Sequence, residues 1–131
     1  MNEYAFKPEK RNSWDYWFAK QGDDYHAFFL EYPDESVLPD QSLRHIMQGA
    51  GHAVSKDLIH WQEMPTALKL KDKVLGTASV AKFKELWYLL YSSGLAASDD
   101  LTHWHDLGPA PDGASDIYGY APRSSWQGQP I

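Results

Sequence analysis

Short apolar runs alternate with turn-forming residues along this chain, and no run keeps a helical period over an ordinary helix length. The runs 25–32 and 86–92, for example, are rich in Phe, Tyr, Trp and Leu, and they lie between Asp24 and Pro33 and between Glu85 and Ser93. Aromatic residues between turn residues are typical of strands. Gly22, Asp23 and Asp24 are predicted to form the turn of the first hairpin. The pattern predicts an all-β chain whose strands lie near residues 15–20, 25–32, 51–55, 61–68, 76–83, 86–92, 94–98 and 104–107.

An internal repeat organises these strands. Residues 51–61 read Gly-His-Ala-Val-Ser-Lys-Asp-Leu-Ile-His-Trp, and 43 positions later residues 94–104 read Gly-Leu-Ala-Ala-Ser-Asp-Asp-Leu-Thr-His-Trp, with seven of eleven positions identical. A period of about 40–50 residues is typical of propeller blades, each a four-stranded sheet. We therefore expect one blade over about 13–68 and a second over about 75–109. Residues 110–131 are expected to be a tail or the start of a third blade.

The repeated stretch is predicted to turn the chain between the third and fourth strands of each blade. Its Asp can accept backbone N–H bonds within the turn, and its Trp can anchor the last strand to the blade. A structural role is therefore predicted for the Asp, His and Trp of both copies: Asp57, His60, Trp61, Asp100, His103 and Trp104.

Composition and charge exclude several classes of function. The 131 residues include 12 Lys and Arg, 18 Asp and Glu and no Cys, and the net charge is -6. An acidic chain without a basic stripe predicts neither a nucleic-acid nor a membrane partner, and the lack of Cys excludes thiolate metal sites. The six His show no paired-ligand spacing, so no metal site is predicted. No signal peptide or membrane-spanning run is recognisable, which predicts a cytoplasmic protein.

Aromatic residues make up 15% of the chain, with 6 Trp and 8 Tyr. Such side chains pack well across the strands of a sheet. They also suit carbohydrate sites, because a flat ring stacks on a sugar face while its polar edge forms hydrogen bonds. Core packing and sugar contact both remain open from composition alone.

Three motifs in order point to a known family. They are Trp-Asp-Tyr-Trp-Phe at 14–18, the hairpin sequence at 22–30 and the repeated turn at 51–61. This set resembles the N-terminal part of the five-bladed β-propeller glycoside hydrolases, above all the β-fructosidase-like proteins of family 32 and the arabinanase-like and xylosidase-like enzymes of family 43. The resemblance covers residues 13–107. It implies a truncated member of about two blades, with the start of a third.

The resemblance also implies a catalytic residue. In that superfamily an Asp at the start of the innermost strand of the first blade faces the central funnel and acts as nucleophile or general base, and Asp15 stands at the matching place. Trp14 and Trp17 would line the funnel and bind the sugar. Placing a carboxylate between two indole rings costs free energy unless the carboxylate is paired with another group or takes part in function. The alternatives are a turn or strand cap for Asp15 and core packing for the two Trp.

The segment 33–50 connects the second and third strands of the first blade and is much longer than its counterpart in the second blade. Long connections without structure of their own are often functional. Its Arg44 and His45 are predicted to bind the substrate, and a solvated surface loop is the alternative.

Glycoside hydrolysis needs two carboxylates that flank the scissile bond. The family's later acids are an Asp in an Arg-Asp-Pro triplet and a Glu general acid, but this sequence has no Arg-Asp-Pro and its last Glu, Glu85, lies in a predicted hairpin turn. Whether the isolated chain is an enzyme is therefore left open. The resemblance implies a glycoside hydrolase-related protein that acts on fructosides, arabinosides or xylosides, or descends from such enzymes, and that is incomplete as an isolated chain.

Other functions remain open beside this one. They are a non-catalytic carbohydrate-binding module, an inert propeller fragment and, less favoured, a sialidase-type propeller, since the turn lacks the expected Gly and the chain lacks an arginine triad. The resemblance implies a carbohydrate partner and no organic cofactor, and no ligand set for the calcium ion of some family 43 relatives is visible. Open blade edges and uncovered faces would favour self-association.

Overall fold

Eight antiparallel strands, without a helix, make up the part of the chain that the structure describes. The structure is a computed structural model and describes residues 6, 8, 11–33, 49–69, 75–76, 78–92 and 94–109. The strands are β1 (Arg11–Gln21), β2 (Asp24–Pro33), β3 (Gly49–Ser55), β4 (Gln62–Lys69), β5 (Ser79–Phe83), β6 (Leu86–Tyr91), β7 (Gly94–Ser98) and β8 (His105–Gly108). They form two four-stranded meanders, β1-β2-β3-β4 and β5-β6-β7-β8. The predicted all-β architecture of two blade-like sheets is confirmed.

The predicted strands correspond to the observed ones, with differences at their ends. The first strand begins at Arg11, four residues before the predicted start. Gln21 pairs with Asp24, so the first hairpin turn contains only Gly22 and Asp23, and the prediction that Asp24 belongs to the turn is wrong. Gly22 has a φ of 59°, a left-handed conformation that costs a glycine little because it has no Cβ.

The apolar core lies between the two sheets. Alternate side chains of a strand point to opposite faces, and Phe28 and Leu30 of β2 point to the face that meets the second sheet. Trp17 lies opposite Phe28 in β1 and joins the same core. The buried members of the core are Trp17, Phe28, Leu30, Ala50, Ala67, Leu68, Leu75, Trp87, Leu89, Tyr91, Ala96 and Leu101.

The first glycine of the repeat is required by an aromatic ring on the neighbouring strand. Gly51 lies opposite Phe29, and a Cβ at Gly51 would stand 2.1 Å from the Cε2 atom of that ring. In the second sheet Gly94 lies opposite Tyr91, and its Cβ would stand 2.6 Å from the Tyr91 hydroxyl oxygen and 2.3 Å from the carbonyl oxygen of Gly108. Both repeats therefore use a glycine to let an aromatic side chain lie flat over the third strand.

The repeated turn forms the predicted hydrogen bonds in both copies. In the first copy Ser55 Oγ accepts the N–H groups of Asp57 and Leu58, at 3.1 and 2.8 Å. Asp57 Oδ1 accepts the next two backbone N–H groups, its Oδ2 lies 2.7 Å from His60 Nδ1, and Trp61 Nε1 donates to the carbonyl of Leu58. The second copy forms the same contacts through Ser98, Asp100, Leu101, His103 and Trp104. The predicted structural role of the turn is confirmed.

A pair of buried histidines lies on the face of the first sheet that meets the second. His26 Nδ1 is 2.8 Å from His52 Nε2, and the His52 ring stacks on Phe28 with the centroids 4.7 Å apart. His52 Nδ1 has no hydrogen-bond partner within the described part of the chain. The tautomer in which His52 donates Nε2–H to His26 avoids an unsatisfied N–H at this position.

Burial keeps this pair neutral. It lowers the pKa of His52 to about 4, with the neighbouring His26 as the second cause. Burial also lowers the pKa of His26, against the opposing charges of Asp24 and Asp100. A proton on His52 would create an N–H at Nδ1 that finds no acceptor among the described residues. Acidification therefore weakens the packing between the sheets.

We predict that Gly51→Ala destabilises the chain by about 3 kcal/mol, because the new methyl group overlaps the Phe29 ring and the tightly packed core has to shift. Gly22→Ala is the matched control. Its Cβ would meet nothing within 4 Å, so only the left-handed φ costs free energy, about 1 kcal/mol. Urea unfolding followed by Trp fluorescence measures both variants, and equal losses would show that the space over β3 is not the constraint.

We also predict that the free energy of unfolding falls as the pH is lowered from 6.5 towards 4. In this interval the unfolded chain protonates His52 and the folded chain does not, so acid favours the unfolded state. At pH 4.5 the loss that is due to this residue is on the order of 2 kcal/mol. His52→Leu places at this position the residue found at the equivalent Leu95, and its stability should fall less steeply with acidification.

The control for this prediction is His105→Leu, because His105 is exposed on β8. Unfolding curves of the three proteins at pH 7.0, 5.5 and 4.5 give the comparison. Parallel loss of stability in wild type and His52→Leu would contradict the assignment of the pH dependence to His52.

Candidate active site

Asp15 is the extra residue of a β-bulge. In the pairing of β1 with β2, Trp14 lies opposite Leu30 and Tyr16 lies opposite Phe29, so no residue of β2 faces Asp15. Its φ is 52°, a left-handed conformation that Asp tolerates better than most residues with a side chain. The side chain is exposed. Bulges often occur beside active sites, where they change the direction of one side chain.

The bulge also decides where the two neighbouring aromatic side chains go. In a regular strand Trp14 and Tyr16 would share one face, because side chains alternate. With the extra residue, Trp14 packs against the core between the sheets, whereas Tyr16 lies on the opposite face against Phe29, with ring centroids 5.0 Å apart. Asp15 therefore lies between a residue that packs in the core and a residue that packs on the opposite face of the sheet.

The predicted substrate-binding residues have different positions. Trp14 is half-buried beside Asp15, with its ring 4.8 Å from Tyr32 in an edge-to-face contact. Trp17 is 8% exposed and belongs to the core, a location that favours its packing alternative. Arg44 and His45 lie outside the described residues.

Glu31 is a second carboxylate on the strands that carry Asp15, and the sequence analysis did not single it out. It lies opposite Ser13 in β1 and opposite Gly49 in β3. It is buried, and the Thr66 hydroxyl donates a hydrogen bond of 2.5 Å to its Oε1. The sequence feature that could have identified Glu31 is that it is the one acidic residue in the otherwise apolar run 27–32.

Asp15 and Glu31 have different chemical capacities. An exposed carboxylate on the edge strand of a sheet can attack or activate an incoming group, whereas a buried one engaged by a hydroxyl group is suited to holding strands together. No group of three or more His, Asp or Glu in the described ranges could hold a metal ion. Within the same ranges no helix is long and apolar enough to span a membrane.

Comparison with known families matches residues 17–93 to the glycosyl hydrolases family 32 N-terminal domain. This span is more than half of the 131 residues. No curated protein sequence matches the chain.

Solved structures share the fold. A family 32 β-fructofuranosidase of Bombyx mori is 21% identical with a TM-score of 0.62, and the match covers 80% of this chain and 24% of that one. For the Aspergillus awamori exo-inulinase the values are 22%, 0.60, 84% and 28%. For the Schwanniomyces occidentalis β-fructofuranosidase complexed with fructosyl-erythritol they are 18%, 0.53, 77% and 24%. The chain thus spans about a quarter of the length of these structures.

These similarities confirm the fold that the three ordered motifs implied. The two sheets correspond to part of a five-bladed β-propeller, as in the glycoside hydrolases they resemble. The family match begins at Trp17, two residues after Asp15, and covers most of the first sheet and the strands β5 and β6 of the second. The chain therefore belongs to family 32 of the glycosyl hydrolases and carries sequence of its N-terminal domain.

Proposed function

We propose that this chain supplies one wall of a β-fructosidase-type active site, with Asp15 as the nucleophile of a retaining reaction or the general base of an inverting one. The observation that carries the proposal is the bulge, which presents an exposed carboxylate on the first strand of a family 32 sheet. In a regular strand Asp15 would pair with a residue of β2, and Trp14 and Tyr16 would then lie on the same face.

The proposed substrate class is a fructoside. The family favours it, and the Schwanniomyces occidentalis enzyme is complexed with fructosyl-erythritol. Trp14 stands next to Asp15 and offers an aromatic surface for sugar stacking. Trp17 would support the strand from the core, and Arg44 and His45 remain predicted substrate-binding residues.

The motifs that the family resemblance implies for the second acid of the reaction are not recognisable in these 131 residues. The sequence has no Arg-Asp-Pro triplet and no Glu after Glu85. Glu31 is buried and accepts a hydrogen bond from Thr66, so its carboxylate is engaged within the sheet. A single carboxylate cannot both protonate the leaving group and attack the sugar in one step, so the isolated chain should bind fructosides without hydrolysing them.

We predict that Trp14→Ala weakens the binding of a short fructo-oligosaccharide about tenfold, or about 1.4 kcal/mol, because the stacking surface is lost. Asp15→Asn keeps the size and the hydrogen-bonding oxygen, so binding should change less than threefold. Titration followed by NMR chemical shifts measures both. The control is Asp24→Asn, which removes a carboxylate at the hairpin end of the same sheet, where Asp24 pairs with Lys56.

Asp24→Asn should bind as well as the wild type. If Trp14→Ala does so too, the sugar does not bind at the bulge. Xylo-oligosaccharides and arabino-oligosaccharides serve as comparison ligands, and tighter binding of either would contradict the fructoside assignment.

We further predict that the isolated chain releases no fructose from sucrose or inulin, because the general acid is missing. Sugar release measured by chromatography checks this. Release by the wild-type chain would show that a second acid lies within the 131 residues, and release that persists in Asp15→Asn would remove Asp15 from the mechanism.

A further inference from the structure

Two hydroxyl groups meet across the bulge in β1. Ser13 and Tyr16 flank Trp14 and Asp15 in the chain, and Ser13 Oγ lies 2.7 Å from the Tyr16 hydroxyl oxygen. Residues three positions apart on a regular strand point to opposite faces of the sheet, so their side chains do not meet. This contact therefore exists because Asp15 is an extra residue in the strand. We call Ser13 and Tyr16 the hydroxyl pair.

The register of the two strands places the hydroxyl pair on the face that points away from the core. Ser13 lies opposite Glu31, and Tyr16 lies opposite Phe29. Glu31 and Phe29 are two positions apart in a regular part of β2, so they share a face. Leu30 lies between them and points to the core. The hydroxyl pair and the core packing thus act on the bulge from opposite sides of the sheet.

The Tyr16 side chain has further contacts on this face. Its ring packs on Phe29 with the centroids 5.0 Å apart, and its hydroxyl group donates a hydrogen bond of 3.5 Å to the carbonyl oxygen of Phe6. Ring contacts define which face the tyrosine occupies, but they tolerate sliding and rotation. A hydrogen bond depends on both distance and angle. The short contact with Ser13 therefore defines how far apart the two ends of the bulge lie.

The arrangement that competes with the bulge is a shift of the first part of β1 by one residue. Asp15 would then pair with Leu30 and point to the core side, and Trp14 would leave the core, because a one-residue shift moves every side chain to the other face. The same shift would place Ser13 and Tyr16 on opposite faces and break their hydrogen bond. The hydroxyl pair therefore stabilises the register in which the Asp15 carboxylate is exposed.

We propose that Ser13 and Tyr16 are positioning residues for Asp15. Their hydrogen bond keeps the bulge closed and so fixes the direction in which the Asp15 carboxylate leaves the strand. The φ of 52° at Asp15 costs free energy, and the hydrogen bond offsets part of this cost. The inference rests on the proposed function, in which Asp15 acts on a fructoside. Ser13 and Tyr16 act through the backbone of the bulge and need no contact with the sugar.

The first test is backbone amide hydrogen exchange of the full 131-residue chain, followed by NMR. Ser13→Ala and Tyr16→Phe each remove one hydroxyl group, and the second keeps the ring on Phe29. Losing a hydrogen bond of ordinary net strength shifts a local equilibrium roughly fivefold, so amides in 13–17 should exchange roughly fivefold faster in each variant. The combined variant should exchange no faster than either single variant, because both changes remove the same bond. Core amides of the second sheet, such as that of Leu89, should keep their rates.

Two control variants separate the hydrogen bond from other effects of substitution. Ser13→Thr keeps the hydroxyl group, so exchange in 13–17 should match the wild type. Tyr25→Phe removes a hydroxyl group at the hairpin end of the same two strands, where Tyr25 pairs with Lys20, and should also leave these rates unchanged. Wild-type rates in Ser13→Ala, or equal acceleration of amides in both sheets, would overturn the proposal.

The second test follows the Asp15 carboxyl carbon signal during titration with a short fructo-oligosaccharide. The sugar should shift this signal in the wild type. The shift at saturation should be smaller in Ser13→Ala and Tyr16→Phe, because the carboxylate then takes several directions, whereas the dissociation constant should change less than about threefold, since Trp14 supplies the stacking surface. Equal shifts in wild type and variants would overturn the positioning role. A wild-type chain that binds no fructoside would contradict the proposed function alone, because the exchange test needs no sugar and still decides whether the hydroxyl pair holds the bulge.

Discussion

The packing of the two sheets around Phe28 is the contact on which the rest of the structure depends. This ring is buried, stacks on His52 of its own sheet and receives the edge of Trp104 from the other. Trp17 lies opposite it in β1. A single repeat unit cannot bury its apolar face alone. This contact therefore joins two meanders of marginal stability around one core.

The same contact holds the candidate active site in place. A left-handed φ at a residue with a Cβ costs roughly 1–2 kcal/mol, and it persists only where the surroundings determine it. Here Trp14 is held by the core, whereas Tyr16 is held on the other face by Phe29 and by Ser13, whose Oγ lies 2.7 Å from the Tyr16 hydroxyl oxygen. The chain can satisfy both aromatic residues only by inserting Asp15 between them as a bulge.

The sequence predicted the features that depend on short-range patterns and missed those that depend on how the strands pair. The eight strands and the Ser-x-Asp-Leu turn follow from short-range patterns that occur twice. The bulge at Asp15 could not be predicted, because it results from a register between β1 and β2 that no single strand encodes. His26 and His52 are 26 positions apart and meet only through the pairing of β2 with β3. Trp14 and Trp17 looked equivalent in sequence, and the bulge places both on the core face, but Trp17 is buried whereas Trp14 is half-buried beside Asp15.

The position of Tyr16 connects the bulge to the face of the first sheet that lies opposite the core. Tyr16 follows Asp15 directly in the chain, packs on Phe29 and donates a hydrogen bond of 3.5 Å to the carbonyl oxygen of Phe6. Phe6 packs on Phe29 in turn, with the ring centroids 5.7 Å apart. Contacts on this face therefore hold one side of the bulge, while the core holds Trp14 on the other side. In this fold, the packing of the first sheet and the orientation of the carboxylate that we propose as catalytic depend on the same aromatic contacts.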